Sequence, residues 1–138
     1  MHSVEHILNQ TMVRIYDCGR CFTAHIERKK SKCDYHFEKA LVADEIEEIQ
    51  SRVNRIIQSD LPVSEAFISK SEARSRFNTD KLPDDVGDRI RIISIGDYDH
   101  CPCIGPHVES TAEIGEFRIT STAFEDGVLR IRYKLAEK

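Results

Sequence analysis

Phe117-Arg118-Ile119-Thr120-Ser121-Thr122-Ala123-Phe124-Glu125-Asp126-Gly127-Val128-Leu129-Arg130-Ile131-Arg132-Tyr133-Lys134-Leu135 is the stretch that decides the fold. Phe117 to Phe124 and Val128 to Leu135 read as two strands. Asp126-Gly127 between them tolerates the positive φ angles of a tight hairpin turn. Outward from the hairpin, Arg89 to Ile95 alternates like another strand. Leu61-Pro62-Val63 opens an extended segment to about Ile68, because proline biases its neighbour away from helix. Phe22 to Arg28 and Asp34 to Lys39 read as two further strands around a basic turn, and Ser71 to Phe77 as a short capped helix. Val42, Ile46, Ile49, Val53, Ile56 and Ile57 form one apolar stripe at helical spacing. Glu45, Glu47 and Glu48 lie near its start and Arg52 and Arg55 toward its end, as the helix dipole favours. Val4, Ile7, Leu8, Thr11, Met12 and Ile15 recur in the same way, predicting a first helix from about Ser3 to Asp17 that Gly19 stops. The predicted class is α+β, an antiparallel-rich sheet with two main helices packed on it.

A chain of 138 residues can bury a core unaided, so residues 1–138 read as one compact domain. With 40% hydrophobic and 32% charged residues, it belongs with globular rather than disordered chains. No run approaches the roughly 18 apolar residues needed to cross a bilayer. No basic segment leads into an apolar core at the N-terminus, so the cytoplasm is the expected compartment and no membrane partner is expected. Five cysteines without regular spacing read as reduced thiols. A net charge of −4 argues against nonspecific coating of nucleic acid, DNA included. It leaves room for contact with the end of a nucleic acid, where a few local cations suffice. Arg28, Lys29, Lys30 and Lys32, the densest basic run, read as a solvated turn.

The chemistry is concentrated in two pairs. His2 and His6 are four residues apart, so a helix projects both from one face, roughly 160° from the middle of the apolar stripe. That direction sets them apart from core histidines. Cys103 and His107 are also four apart, on a loop whose path Gly105 and Pro106 restrict. Two such pairs about a hundred residues apart are the sequence form of a four-ligand zinc site closed by folding. Cys101 lies two residues from Cys103 and is an alternative ligand. Cys18-Gly19-Arg20-Cys21 is a CxxC, but it follows a helix instead of preceding one, which is the wrong end for a redox pair. Cys33 reads as a core or strand thiol.

His2-Ser3-Val4-Glu5-His6, Cys103-Ile104-Gly105-Pro106-His107-Val108 and Thr111-Ala112-Glu113-Ile114-Gly115 together resemble the editing domain shared by alanyl- and threonyl-tRNA synthetases. They also resemble the free-standing AlaX proteins, and the resemblance covers nearly the whole chain. It implies a trans-editing esterase that acts on the acceptor end of mischarged tRNA, with serine the amino acid commonly removed and glycine an alternative. His2, His6, Cys103 and His107 match the metal-ligand positions, implying Zn2+. Thr23 falls near a family threonine that contacts the substrate side chain. Gly105-Pro106-His107 is the threonyl-type spelling and Thr111 to Gly115 is closer to the alanyl type, so the tRNA is that for alanine or for threonine. Neither an aminoacylation domain nor a leading barrel domain is expected.

An aminoacyl ester is already activated, so a positioned water and an anchored substrate suffice. Two other readings compete. His2-Ser3-Val4-Glu5-His6 also spells HxxEH, in which Glu5 would be the base of a zinc hydrolase, although CxxxH is then unexplained. Alternatively, a closed Cys/His site would stabilise a non-catalytic tRNA-binding module.

Overall fold

Both long helices and the C-terminal hairpin are present in the computed structural model, which describes residues 2–27, 30–69, 71–72, 75, 89–102 and 109–135. The elements are α1 (His2–Tyr16), β1 (Thr23–Ile26), β2 (Ser31–His36), α2 (Ala43–Gln58), β3 (Val63–Ser69), β4 (Arg89–Ile95) and β5 (Asp99–Pro102). A 3-10 turn (Thr111–Glu113), β6 (Phe117–Glu125) and β7 (Val128–Leu135) follow. The class is α+β, as predicted, but the strands are divided between two antiparallel sheets. One runs β1-β2-β7-β6 and the other β3-β4-β5.

At the hairpin turn Asp126 and Gly127 both have positive φ, 51° and 78°, the conformation that twists with the flanking strands. On one face of the larger sheet Cys33, Tyr35, Leu129, Ile131 and Tyr133 are buried. They meet Val4, Ile7, Leu8 and Met12 of α1 and Ile49, Val53 and Ile57 of α2 in one core. Truncation at Ile49, which has no exposed surface, is expected to cost about 3 kcal/mol as Ile49→Ala, read by urea unfolding. A loss under about 1 kcal/mol would mean that α2 is not clamped to the sheet as described.

Several boundaries move for local reasons. The first helix ends before Gly19 because Asp17 already takes a left-handed φ of 53°, which aspartate tolerates better than most residues. Val42 is not part of the α2 stripe. It is the extended residue before the helix, exposed, and its N–H donates to the Glu45 carboxylate at 3.1 Å. The second strand starts at Ser31, earlier than Asp34, and the Ser31 hydroxyl both accepts from the Glu27 N–H and donates to the Glu27 carbonyl, fixing that start beside the end of β1. Lys32 is therefore in a strand, and Arg28 and Lys29 lie outside the described residues. In the predicted Ser71–Phe77 helix, 71, 72 and 75 are helical and the others lie outside the described residues.

The two sheets are joined where Leu61-Pro62-Val63 meets Glu109-Ser110-Thr111. The Thr111 N–H donates to the Leu61 carbonyl at 2.9 Å, and the Leu61 N–H donates to the Thr111 hydroxyl at 2.8 Å. The Val63 N–H donates to the Glu109 carbonyl at 2.9 Å. Glu113 accepts from the Glu109 and Ser110 N–H groups, which closes the turn. The Thr111–Gly115 motif thus acts as a joint, holding the chain just beyond the Cys103–Val108 segment against the start of β3.

Candidate functional site

The His6 side of α1 is buried against β5. His6 is 4% exposed and its Nδ1 lies 3.4 Å from Oδ2 of Asp99, which has no exposed surface. Sequence direction predicted a face set apart from the core. It is instead covered by the turn between β4 and β5, which α1 grips with polar groups. Gln10 Nε2 and an Arg14 guanidinium nitrogen each donate to the Tyr98 carbonyl at 2.9 Å. The Thr11 and Tyr98 hydroxyls lie 2.6 Å apart, and the Arg14 guanidinium sits 4.3 Å from the Tyr98 ring centroid. Gly96 shapes this turn with a φ of 49°, a conformation in which a Cβ would be strained.

Asp99 also receives two hydrogen bonds from Arg20, at 2.8 and 3.3 Å. Burial alone would raise the Asp99 pKa, but His6 and Arg20 outweigh it and hold the carboxyl below its usual range. Burial works against the Arg20 charge, and Asp99, followed by Cys101, more than offsets it. Three segments therefore converge on one buried carboxylate: α1, the loop before β1, and β5. No sequence pattern marked Asp99 or Arg20. Each is a lone charge whose value comes from meeting the other.

This geometry suits a metal-ligating histidine. With Nδ1 facing a carboxylate, Nε2 is the ring nitrogen left to take a metal, the usual outer-shell arrangement around metal-bound imidazole. Asp99 and Cys101 occupy alternate positions of β5, so they share a face, and Cys101 stays an alternative to Cys103. The His2 side chain, Cys103 and His107 lie outside the described residues. The CxxxH segment is tethered on both sides, by the pairing of Pro102 with Ile92 and by the Val63–Glu109 hydrogen bond.

Glu5 projects elsewhere. Its Oε1 accepts from the Cys21 thiol at 3.6 Å, and the Cys33 Sγ lies 3.5 Å from the Tyr133 hydroxyl. The ligand atoms of Glu5, Cys21 and Cys33 lie within 4.8 Å of one another, a donor set compatible with zinc that sequence spacing did not suggest. The hydrogen bond with Cys21, then burial, push the Cys33 thiol up, so both thiols also serve as core packing. Asn9 Oδ1 accepts from the Cys21 N–H and the Tyr35 hydroxyl, fixing that loop to α1. Cys18 is half-buried, donates to the Met12 carbonyl at 3.6 Å, and has its thiol pushed up by burial. That is the opposite of a reactive thiolate.

Thr23 is exposed at the start of β1, in register with Asp34, on the sheet face turned away from the core. It is not on the same side of the sheet as α1. It is, however, only three residues from Arg20, a span of at most about 11 Å of chain.

Comparison with known proteins points to one class. Residues 90–132 match the threonyl and alanyl tRNA synthetase second additional domain. The chain is 32% identical over 145 aligned positions to alanine–tRNA ligase of Francisella tularensis subsp. mediasiatica (strain FSC147), covering 99% of this chain and 16% of that protein. It is 28% identical to the alanine–tRNA ligase of Methanopyrus kandleri over 144 positions and 31% identical to that of Aeropyrum pernix over 143, with 99% of this chain covered in each case. The matches cover 15% and 16% of those two proteins, so the chain spans about a sixth of the curated relatives' length. Domain match and near-complete alignment support an AlaX-like editing domain related to the second additional domain of alanyl-tRNA synthetase, with a role related to tRNA editing. No described helix is long and apolar enough to cross a membrane.

Proposed function

We propose that this chain hydrolyses, in trans, the aminoacyl ester of mischarged tRNA, with seryl-tRNA bearing the tRNA for alanine as the preferred substrate. The observation that carries the reading is the burial of His6 against Asp99, at the point where β5 leads into the CxxxH segment. The relatives are alanine–tRNA ligases, which favours the tRNA for alanine over that for threonine. His2, His6, Cys103 and His107 would hold zinc. When bound, zinc supplies a Lewis acid that anchors the substrate's amino or hydroxyl group or activates a water. Asp99 holds the His6 ring in one orientation, and Arg20 holds Asp99. The ester is intrinsically labile, so this positioning supplies most of what hydrolysis needs. Glu5 is engaged with the Cys21 thiol, which disfavours it as the base of an HxxEH hydrolase.

Distinguishing serine from the smaller alanine takes a polar contact to the side-chain hydroxyl, the role that the family resemblance gives Thr23, although Thr23 is on the sheet face turned away from α1. Purified protein added to seryl- and alanyl-tRNA, both on the tRNA for alanine, is expected to deacylate the first and spare the second. Thr23→Val should lower that preference by about tenfold or more. Unchanged preference would remove Thr23 from the site. Absence of hydrolysis by folded, metal-loaded protein would favour a non-catalytic tRNA-binding module.

A further inference from the structure

The outer face of the β1-β2-β7-β6 sheet carries Lys32, Arg118, Arg130, Arg132 and Lys134 against Asp34 and Glu125, a basic balance in a chain that is acidic overall. Cross-strand partners share a face, so the register defines the rows. His25, Lys32, Arg132 and Ser121 form one row, Thr23, Asp34, Arg130 and Ala123 the next, and Lys134 faces Arg118 beyond them. Arg130 is neutralised by Asp34, to which it donates at 2.8 and 3.0 Å, and Arg118 donates to Glu116 at 2.8 Å. Lys32, Arg132 and Lys134 have no acid partner among the described residues, and Arg132 and Lys134 are exposed. The hydrogen bond from Arg130, reinforced by the charges of Lys32 and Arg132, holds the Asp34 carboxyl below its usual range. At the corner of the same sheet Phe22, exposed beside Thr23, stacks on His36 with ring centroids 4.1 Å apart and an interplanar angle of 16°.

We propose that this face is the docking surface for the unpaired 3′ end of tRNA. Lys32, Arg132 and Lys134 would follow its phosphates, and the Phe22–His36 stack would receive a base. Cations along a strand path with an aromatic platform beside it are the requirements of single-stranded nucleic-acid binding. A protein partner would be expected to seek an apolar centre, which this face lacks. Phe22 lies two residues from Arg20 along the chain. Rounding the sheet edge past Phe22, the RNA end would meet the Arg20 loop, whose guanidinium is on Asp99 beside His6. The inference rests on the tRNA-editing reading and specifies how tRNA approaches that site.

The test is binding of full-length protein to deacylated tRNA for alanine, intact or lacking its unpaired 3′ nucleotides, followed by fluorescence anisotropy across a salt series. The double variant Arg132→Glu/Lys134→Glu is expected to weaken binding of intact tRNA at least about tenfold and to reduce the slope of log affinity against log salt by about 1.4. Phe22→Ala should weaken it about tenfold with the slope unchanged. Arg52→Glu on α2, away from this face, should bind normally. Equal losses from Arg52→Glu, no loss from the double variant, or equal binding of truncated and intact tRNA would each overturn the proposal. Deacylated tRNA needs no hydrolysis, so a binding loss in protein that hydrolyses no ester would reject editing and keep the surface. Normal KM for seryl-tRNA in the double variant would do the reverse.

Discussion

His6→Ala should lower kcat/KM for seryl-tRNA by at least about a hundredfold and reduce bound metal well below one ion per chain. The side chain is enclosed, with Nδ1 facing Asp99 at 3.4 Å, so no other described group can take its place without moving α1 or β5. Elemental analysis of protein prepared without chelators, beside a deacylation assay and a thermal melt, separates loss of metal from loss of fold. Cys103→Ala is expected to match His6→Ala, whereas Cys101→Ala should keep its metal. Loss only in the Cys101 variant, or equal loss in both cysteine variants, would reassign the sulfur ligand. A His6→Ala protein that keeps both metal and activity would sink the assignment of this face as the site. Metal-free wild type that still hydrolyses seryl-tRNA would leave editing standing and remove zinc from it.

The largest stability effect should come from Asp99→Ala. Its carboxylate is fully buried and shared by Arg20 and His6, so its removal strands a guanidinium whose side chain is only 30% exposed. Breaking such a pair from one side typically costs about 3–5 kcal/mol. Asp99→Asn keeps an oxygen acceptor but loses the charge, and should be milder. In the asparagine variant, metal affinity should fall about ten- to a hundredfold, as expected for an outer-shell partner of a ligating histidine. That readout distinguishes a positioning role from a merely structural one. If Asp99→Ala unfolds at the wild-type urea midpoint, the Arg20–Asp99–His6 junction does not support the fold. If Asp99→Asn binds metal as tightly as wild type, Asp99 does not position the ligand.

Periodicity made the frame legible. The Val4–Met12 and Ile49–Ile57 stripes are buried as their spacing required, and Asp126-Gly127 turns the hairpin because both residues accept positive φ. The sequence motifs also pointed to the editing-domain class that the comparisons support. β5 was invisible because Asp99-His100-Cys101-Pro102 has no alternating pattern. It is a strand only because Ile92–Ile95 of β4 offers it hydrogen bonds. The basic sheet face was invisible for a related reason. The run at Arg28–Lys32 was conspicuous along the chain, whereas Lys32 is about a hundred residues from Arg132 and Lys134 and is brought beside them by strand pairing.

Local sequence therefore determined which segments are helix or strand and which faces are apolar, since backbone propensity and hydrophobic period act over a few neighbours. Tertiary structure alone decided that His6 is closed in by β5, that Glu5 meets Cys21, and that Asp99 carries a charge in the interior. A buried carboxylate is stable only when distant donors arrive together. That cancellation of desolvation by Arg20 and His6 depends on distances in space, which spacing along the chain does not encode.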